Sequence, residues 1–228
     1  RGFSVAKIKP FRAVRPVPEK AKEVSCVPYD VPYDAEVRET IGRYPDSFLT
    51  VTRPEALFAE GEEPSADEAL KKSGESFQRL LDEKVLIEDA EPSFFVYRLT
   101  DGDHSQTGII AGASVAEYED GAIKRHEKTR PDKVEDRTTH MLSLRAQTGL
   151  IFLAFRGTEP ISEIIKETAA GEPLYDITAD DGVRHTVWKV ARIEDLAKAF
   201  EEVPALYIAD GHHRAESAAL ARRKLSAA

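Results

Sequence analysis

The sequence predicts a mixed α/β fold with an irregular N-terminal region, and three stretches predict it. Residues 206–222, Leu-Tyr-Ile-Ala-Asp-Gly-His-His-Arg-Ala-Glu-Ser-Ala-Ala-Leu-Ala-Arg, run from an apolar segment through Asp210-Gly211 into an Ala-rich one, which reads as strand, tight turn and helix. Residues 94–111 read as a hairpin, with apolar runs on either side of Asp101-Gly102. Upstream, Leu70, Phe77, Leu80 and Leu81 fall on one face of a helix. A chain of 228 residues suffices for one large domain or two small ones, with a core that needs neither disulfides nor metals. One compact domain over residues 1–228, elaborated with hairpins and peripheral helices, is the expectation.

Taken in order, the first 34 residues are extended and punctuated by proline. Phe3 and Val5 alternate as in a strand, while Pro10, Pro16, Pro18, Pro28 and Pro32 prevent a long helix. Cys26-Val-Pro-Tyr-Asp-Val31 is a stiffened loop that can fix the Tyr29 phenol and the Asp30 carboxylate, although an ordinary turn accounts for the same residues. Cys26 behaves by default as a small buried apolar residue, with a nucleophile as the sharper alternative. Residues 35–44 predict a short helix and residues 47–52 a strand. Ser65 predicts the N-cap of a helix reaching Lys84, with Asp67 and Glu68 in its first turn. Residues 61–64 form an acidic loop, and residues 85–87 lead into a strand.

His104 belongs to the tip of the hairpin at 94–111, as an exposed side chain. Pro131 starts a helix with Val134, Met141, Leu142 and Leu144 as apolar positions and Gly149 as its closing C′ residue. Residues 150–155 form a continuous apolar run, as a strand buried on both faces would. A helix over 160–170, a hairpin over 174–190 with His185 and Trp188 on opposite faces, and an amphipathic helix over 192–202 then lead into the strand at 206.

Composition bounds the function. Charged residues make up 32% and the net charge is −9, so the global field repels a nucleic-acid backbone and direct DNA binding is disfavoured. No run approaches the length of a membrane span, and no charged-then-apolar signal segment opens the chain. The single cysteine excludes an internal disulfide and a cysteine-cluster metal site, which fits a reducing cytoplasm.

Two clusters carry chemistry. In the first, His212, His213 and Arg214 occupy the opening turn of a helix, where unpaired N–H groups and the positive dipole end suit an anion, and a guanidinium suits phosphate or carboxylate. The plainer account makes Asp210 an N-cap, Gly211 a turn residue and the histidines surface groups. In the second, His126, Glu127, Lys128 and Thr129 offer an acid or base, a cation and a hydroxyl within four residues, though composition alone favours a solvated, charged loop. Glu135 and Arg137 lie two apart and diverge, whereas Asp136 and His140 share a helix face as an ordinary surface pair. Adjacent His212 and His213 diverge by roughly 100° on a helix and cannot chelate one ion. Mg2+ held by bound phosphates with Asp210, Asp30 or Glu127 is compatible.

Ala209-Asp-Gly-His-His-Arg-Ala-Glu-Ser-Ala218 resembles the signature A-D-G-H-H-R-x-E-T-A of the domain of unknown function 1015 family, a widespread bacterial and archaeal group. Ser217 replaces the usual threonine and keeps the hydroxyl. Lys9-Pro-Phe-Arg-Ala13 with Val27-Pro-Tyr-Asp-Val31, then His126-Glu-Lys-Thr129, then Glu135-Asp-Arg137 resemble the same family in the same order, so the match spans most of the chain. Members of that family usually run well past the signature, and this chain opens at Arg1; the expectation is the N-terminal part of a longer protein. The family is in turn similar to the ParB/sulfiredoxin superfamily, whose ParB proteins carry G-E-R-R, and whose free-serine kinases carry D-G-x-H-R, at an equivalent turn that holds nucleotide phosphates.

The resemblance implies a ParB/sulfiredoxin-like domain and, as function, a nucleotide-dependent phosphotransferase (a kinase) acting on a small hydroxyl compound such as free serine. ADP, ATP or CTP would be the nucleotide. Asp210, Gly211, His212, His213, Arg214 and Thr129 would bind phosphate, Lys128 and Arg137 would neutralise charge, and Glu127 or His126 would take the acceptor's proton, with Asp30 as a further catalytic candidate. The alternative, from another class, is a non-catalytic nucleotide-binding regulatory module of ParB type.

Overall fold

The computed structural model describes residues 7–227, which leaves the Phe3 and Val5 alternation outside the described residues. In chain order these residues form β1 (Ile8–Lys9), β2 (Val14–Pro16), α1 (Ala21–Val24), α2 (Asp34–Arg43), α3 (Leu49–Thr52), α4 (Ala66–Asp82), β3 (Leu86–Glu88), β4 (Phe95–Asp101), β5 (His104–Ile110) and β6 (Gly112–Ala113). They continue with α5 (Val115–Glu119), β7 (Ile123–Lys124), α6 (Pro131–Leu144), β8 (Phe152–Ala154), α7 (Glu159–Ala169), β9 (Tyr175–Thr178), β10 (Arg184–Lys189), α8 (Ile193–Phe200), β11 (Leu206–Asp210) and α9 (His212–Ala227). The mixture of helices and short strands in several small sheets is the fold class that the sequence predicts. No helix of the described residues is long and apolar enough to cross a membrane.

The described chain divides into two compact units, one of residues 7–12, 91–176 and 185–227, the other of residues 13–90 and 177–184. In the second unit β2 pairs antiparallel with β3, and Val24, Val37, Leu49, Val51, Leu80 and Leu86 are buried. Helix α4 begins where Ser65 predicts it, with Ser65 Oγ accepting from the Glu68 amide and Glu68 Oε2 accepting from the Ser65 amide. The strand expected over 47–52 is instead the helical turn α3. Thr50 donates its hydroxyl to the Ser47 carbonyl at 2.8 Å, and Ser73 of α4 donates to the Val51 carbonyl at 2.6 Å. Local hydroxyl bonds and packing on α4 override the β-branched composition of Thr50-Val51-Thr52.

The first unit holds β4, β5 and nearly all of β10 from a sheet of order β5-β4-β10-β9, and a second sheet of order β7-β11-β8, with β11 parallel to β7 and antiparallel to β8. Phe94, Val96, Ile161, Leu196, Leu206 and Ile208 belong to one core cluster, into which α9 sets the small side chains of Ala215 and Ala219. The hairpin of β4 and β5 is in place, although its turn is Gly102-Asp103, and His104, opposite Asp101, is the first, exposed residue of β5. Three further expectations are corrected. Residues 150–155 yield only β8, an edge strand of its sheet among the described residues, and it is not covered on both faces, with Phe152 48% exposed. Helix α6 closes on Arg145 in the left-handed region (φ 53°), not on Gly149. His140 is buried rather than a surface partner of Asp136, whose carboxylate accepts from Arg137.

Candidate functional site at the β11–α9 turn

One residue separates β11 from α9. Gly211 has φ +92°, and a Cβ there would lie 2.9 Å from Ile151 Cγ2 and 3.2 Å from Arg214 Nε, so both conformation and space demand glycine. The Ala215 amide donates to the Gly211 carbonyl at 2.9 Å. Ahead of it, the amides of His212, His213 and Arg214 have no backbone acceptor among the described residues. Those are the donors that a helix leaves unpaired at its positive end.

The Arg214 guanidinium is already engaged. It donates through Nη1 to the Leu150 carbonyl and through Nη2 to Asp210 Oδ2. A Cβ on Gly149 would meet Arg214 Cδ at 3.0 Å, which gives that glycine a packing role in place of the expected helix stop. Arg214 therefore ties the turn to the segment entering β8. Its positive charge is matched by the Asp210 carboxylate, which a forked donor holds well.

The loop between β7 and α6 meets the turn from the other side. Glu127 Oε2 stands 3.5 Å from His212 Nδ1, the His126 ring stands edge-on to the His212 ring with centroids 4.5 Å apart, and the Arg130 amide donates to His213 Nε2 at 3.1 Å. A nitrogen that accepts carries no proton, so a neutral His213 is protonated on Nδ1. His212 is 6% exposed, and its Nε2 is buried without a hydrogen-bond partner among the described residues. Leaving such a group unpaired costs about 1–3 kcal/mol. Lys128 is exposed on the same loop and Thr129 is half-buried.

The structure thus gathers His126, Glu127, His212, His213, Asp210, Gly211 and Arg214 at one turn, with Lys128 and Thr129 on the adjoining loop. Arg137 lies on α6 with Nη2 2.7 Å from Asp136 Oδ2. Asp30 belongs to the other unit, exposed in a turn closed by the Val31 amide on the Pro28 carbonyl at 3.0 Å. Arg53 braces that loop through the carbonyls of Tyr29 and Pro32. Among the described residues, no group of three or more His, Cys, Asp or Glu is placed to hold a metal ion.

Sequence reading passed over the supports of the site. Glu216 accepts from the Tyr118 hydroxyl at 2.6 Å and from Arg125 at 3.3 Å, while Arg125 also covers the Tyr118 ring. Burial, and then the Glu216 carboxylate, push the Tyr118 phenol above its ordinary range. Ser217 is fully buried, with the His213 carbonyl at 2.7 Å and the Val134 carbonyl at 3.1 Å as acceptors, so the hydroxyl that replaces threonine packs α9 against α6. The four-residue step from His213 to Ser217 is the sequence signal for that back-bond.

These features define a mixed α and β protein organised around a strand–glycine–helix junction with unpaired amides and a buried imidazole. The chain belongs to the family described as "Protein of unknown function (DUF1015)", whose family profile matches residues 8–228. Neither the curated proteins nor the solved structures contain a match to it.

Proposed function

We propose that this chain is a nucleotide-dependent phosphotransferase that moves a phosphoryl group from ADP or ATP to a small hydroxyl compound such as free serine. The observation that carries this reading is the opening turn of α9, whose amides at His212, His213 and Arg214 lack backbone acceptors and face a loop rich in acid–base and cationic side chains. Peptide N–H groups and a helix dipole are a ready receptor for phosphate. The likeness of Asp210-Gly-His-His-Arg214 to the D-G-x-H-R of free-serine kinases and the G-E-R-R of ParB, within the ParB/sulfiredoxin superfamily, supports the same assignment.

In this reading the α9 amides take the phosphates, and exposed Lys128 offsets their charge. Arg214 keeps the turn in shape through Asp210 and the Leu150 carbonyl rather than reaching out to the ligand. Mg2+ would arrive on the phosphates, with Asp210 or Glu127 as a carboxylate ligand. The acceptor hydroxyl gives its proton to a base in the cluster of His126, Glu127 and His212.

The test is calorimetric titration with ADP, ATP and CTP, followed by assay of phosphate transfer from ADP and ATP to L-serine. Binding with transfer is expected. Binding of a nucleotide without transfer to any offered alcohol would instead make the chain a regulatory module of ParB type, and failure of all three nucleotides to bind would end both readings.

A further inference from the structure

We infer that His212 is the residue that takes the proton from the acceptor hydroxyl, with Glu127 positioning its ring and His126 covering it. This rests on the phosphotransferase reading above and names the base within its site. Four side chains at the turn are candidates, and their hydrogen bonds separate them. His213 has its Nε2 lone pair committed to the Arg130 amide at 3.1 Å, so the nitrogen it has left is a donor. Glu127 is exposed and stands 3.5 Å from His212 Nδ1, where a carboxylate favours the tautomer with the proton on Nδ1. His126 is exposed and set edge-on against His212. That leaves His212 Nε2 as the one imidazole lone pair at the turn that is neither committed nor open to water.

A carboxylate behind one imidazole nitrogen and a reacting hydroxyl before the other is the arrangement by which histidine serves as a general base. A buried nitrogen with no partner is rare in folded proteins, and a site awaiting its ligand explains one. His212 is also the first residue of α9, so its own amide is among those assigned to the phosphates, which brings hydroxyl and phosphorus to a single residue. Because Nε2 is sealed in the free chain, a neighbour must move to admit the acceptor. The exposed His126 ring, which stands against the His212 ring, is the neighbour assigned that movement.

The step balances as follows. The hydroxyl proton passes to His212 Nε2 while the hydroxyl oxygen forms a bond to the terminal phosphorus of the nucleotide. The bond from that phosphorus to the bridging oxygen breaks, its electron pair leaves with the nucleotide, now one phosphate shorter, and His212 returns the proton to water as products depart.

Two measurements on the whole chain decide it. In spectra of the ¹⁵N-histidine-labelled free protein, His212 should carry its proton on Nδ1 with Nε2 bare, and Glu127→Gln should remove that preference. A proton found on Nε2 overturns the proposal whether or not a nucleotide binds. In turnover of ATP with L-serine, His212→Gln should lower kcat by about 10²–10⁴-fold, the usual contribution of a general base, with the KM for ATP nearly unchanged. Glu127→Gln, a change at an exposed position, should shift the pH profile of kcat, and Glu127→Asp should restore part of the activity. A parallel loss of ATP binding in His212→Gln would make His212 a phosphate ligand and overturn its role as base. Wild-type chain that has the expected tautomer but binds no nucleotide would instead remove the phosphotransferase reading itself, and the base with it. His126→Ala should raise carbethoxylation of His212 by diethyl pyrocarbonate several-fold; an unchanged rate would remove His126 as the cover.

Discussion

At Gly211 a methyl group has nowhere to go. Its φ of +92° suits glycine alone among ordinary residues, and the new carbon would press on Ile151 at 2.9 Å and on Arg214. Gly211→Ala is therefore expected to destabilise the chain by roughly 1–3 kcal/mol in urea unfolding. It should weaken nucleotide binding more than that loss accounts for, because Arg214 can yield only by releasing Asp210 or the Leu150 carbonyl. Retained stability with retained affinity would show that the turn can relax. Cys26 poses the opposite question, whether a surface residue is reactive. Part of it reaches solvent, yet protein around its sulfur desolvates a thiolate and pushes the thiol up to about 11, against a smaller opposing pull from the Leu49 backbone. Alkylation by iodoacetamide near about pH 8 should run roughly a hundredfold slower than for an unperturbed thiol, since the thiolate is the reactive form. The folded state holds this proton more tightly than the unfolded chain does. Its contribution to stability is thus complete below the ordinary thiol range and fades as pH rises through about 11.

Helix α4 shows what a single element draws from its first residue. Ser65 and Glu68 exchange two amide bonds, and the Ser65 hydroxyl also donates to Glu68 Oε2 at 2.6 Å, which holds the Glu68 carboxyl below its ordinary range. Ser65→Ala should cost about 0.5–2 kcal/mol, the usual loss for such a cap. Because the folded pKa of Glu68 is depressed, its share of stability is present above the unfolded carboxyl range and lost as pH falls through the folded value; the variant should therefore flatten the acid limb of a stability profile. This cap, the 94–111 hairpin and the strand–glycine–helix turn were legible in the sequence because each is written by neighbours a few residues apart. The 47–52 segment was not, since Thr50, Val51 and Thr52 carry strand-like side chains and become helical through Ser47 and Ser73. For the site, the residues at 126–129 and 210–214 could be picked out separately, from residue type and from a resemblance. That Glu127 and His126 converge on His212, and that Arg214 reaches the Leu150 carbonyl, depends on contacts far apart in sequence that no local pattern encodes, whereas its pairing with Asp210, four residues earlier, is a local spacing.

Over the whole molecule, 41 acidic residues against 32 basic ones set a net charge of −9, so a nucleotide approaches a surface that repels it on average. The attraction proposed here is short-ranged, from amides that act within a few ångströms of the helix end, with Lys128 nearby. Added salt screens the distant repulsion over a Debye length of about 10 Å at 0.1 M, yet leaves hydrogen bonds at the turn nearly intact. Affinity for ATP should consequently hold steady or rise slightly between about 50 and 200 mM salt, whereas a protein that neutralises 6–10 phosphates with lysine and arginine loses about 10³–10⁵ over the same range. Duplex DNA, which offers the same charge without a terminal phosphate to seat at the turn, should show no retention at the upper end of that range. Titration of ATP across the salt series, with duplex DNA in parallel, separates a helix-end receptor from a basic groove. A steep fall in ATP affinity would place the binding on dispersed surface cations and away from Gly211.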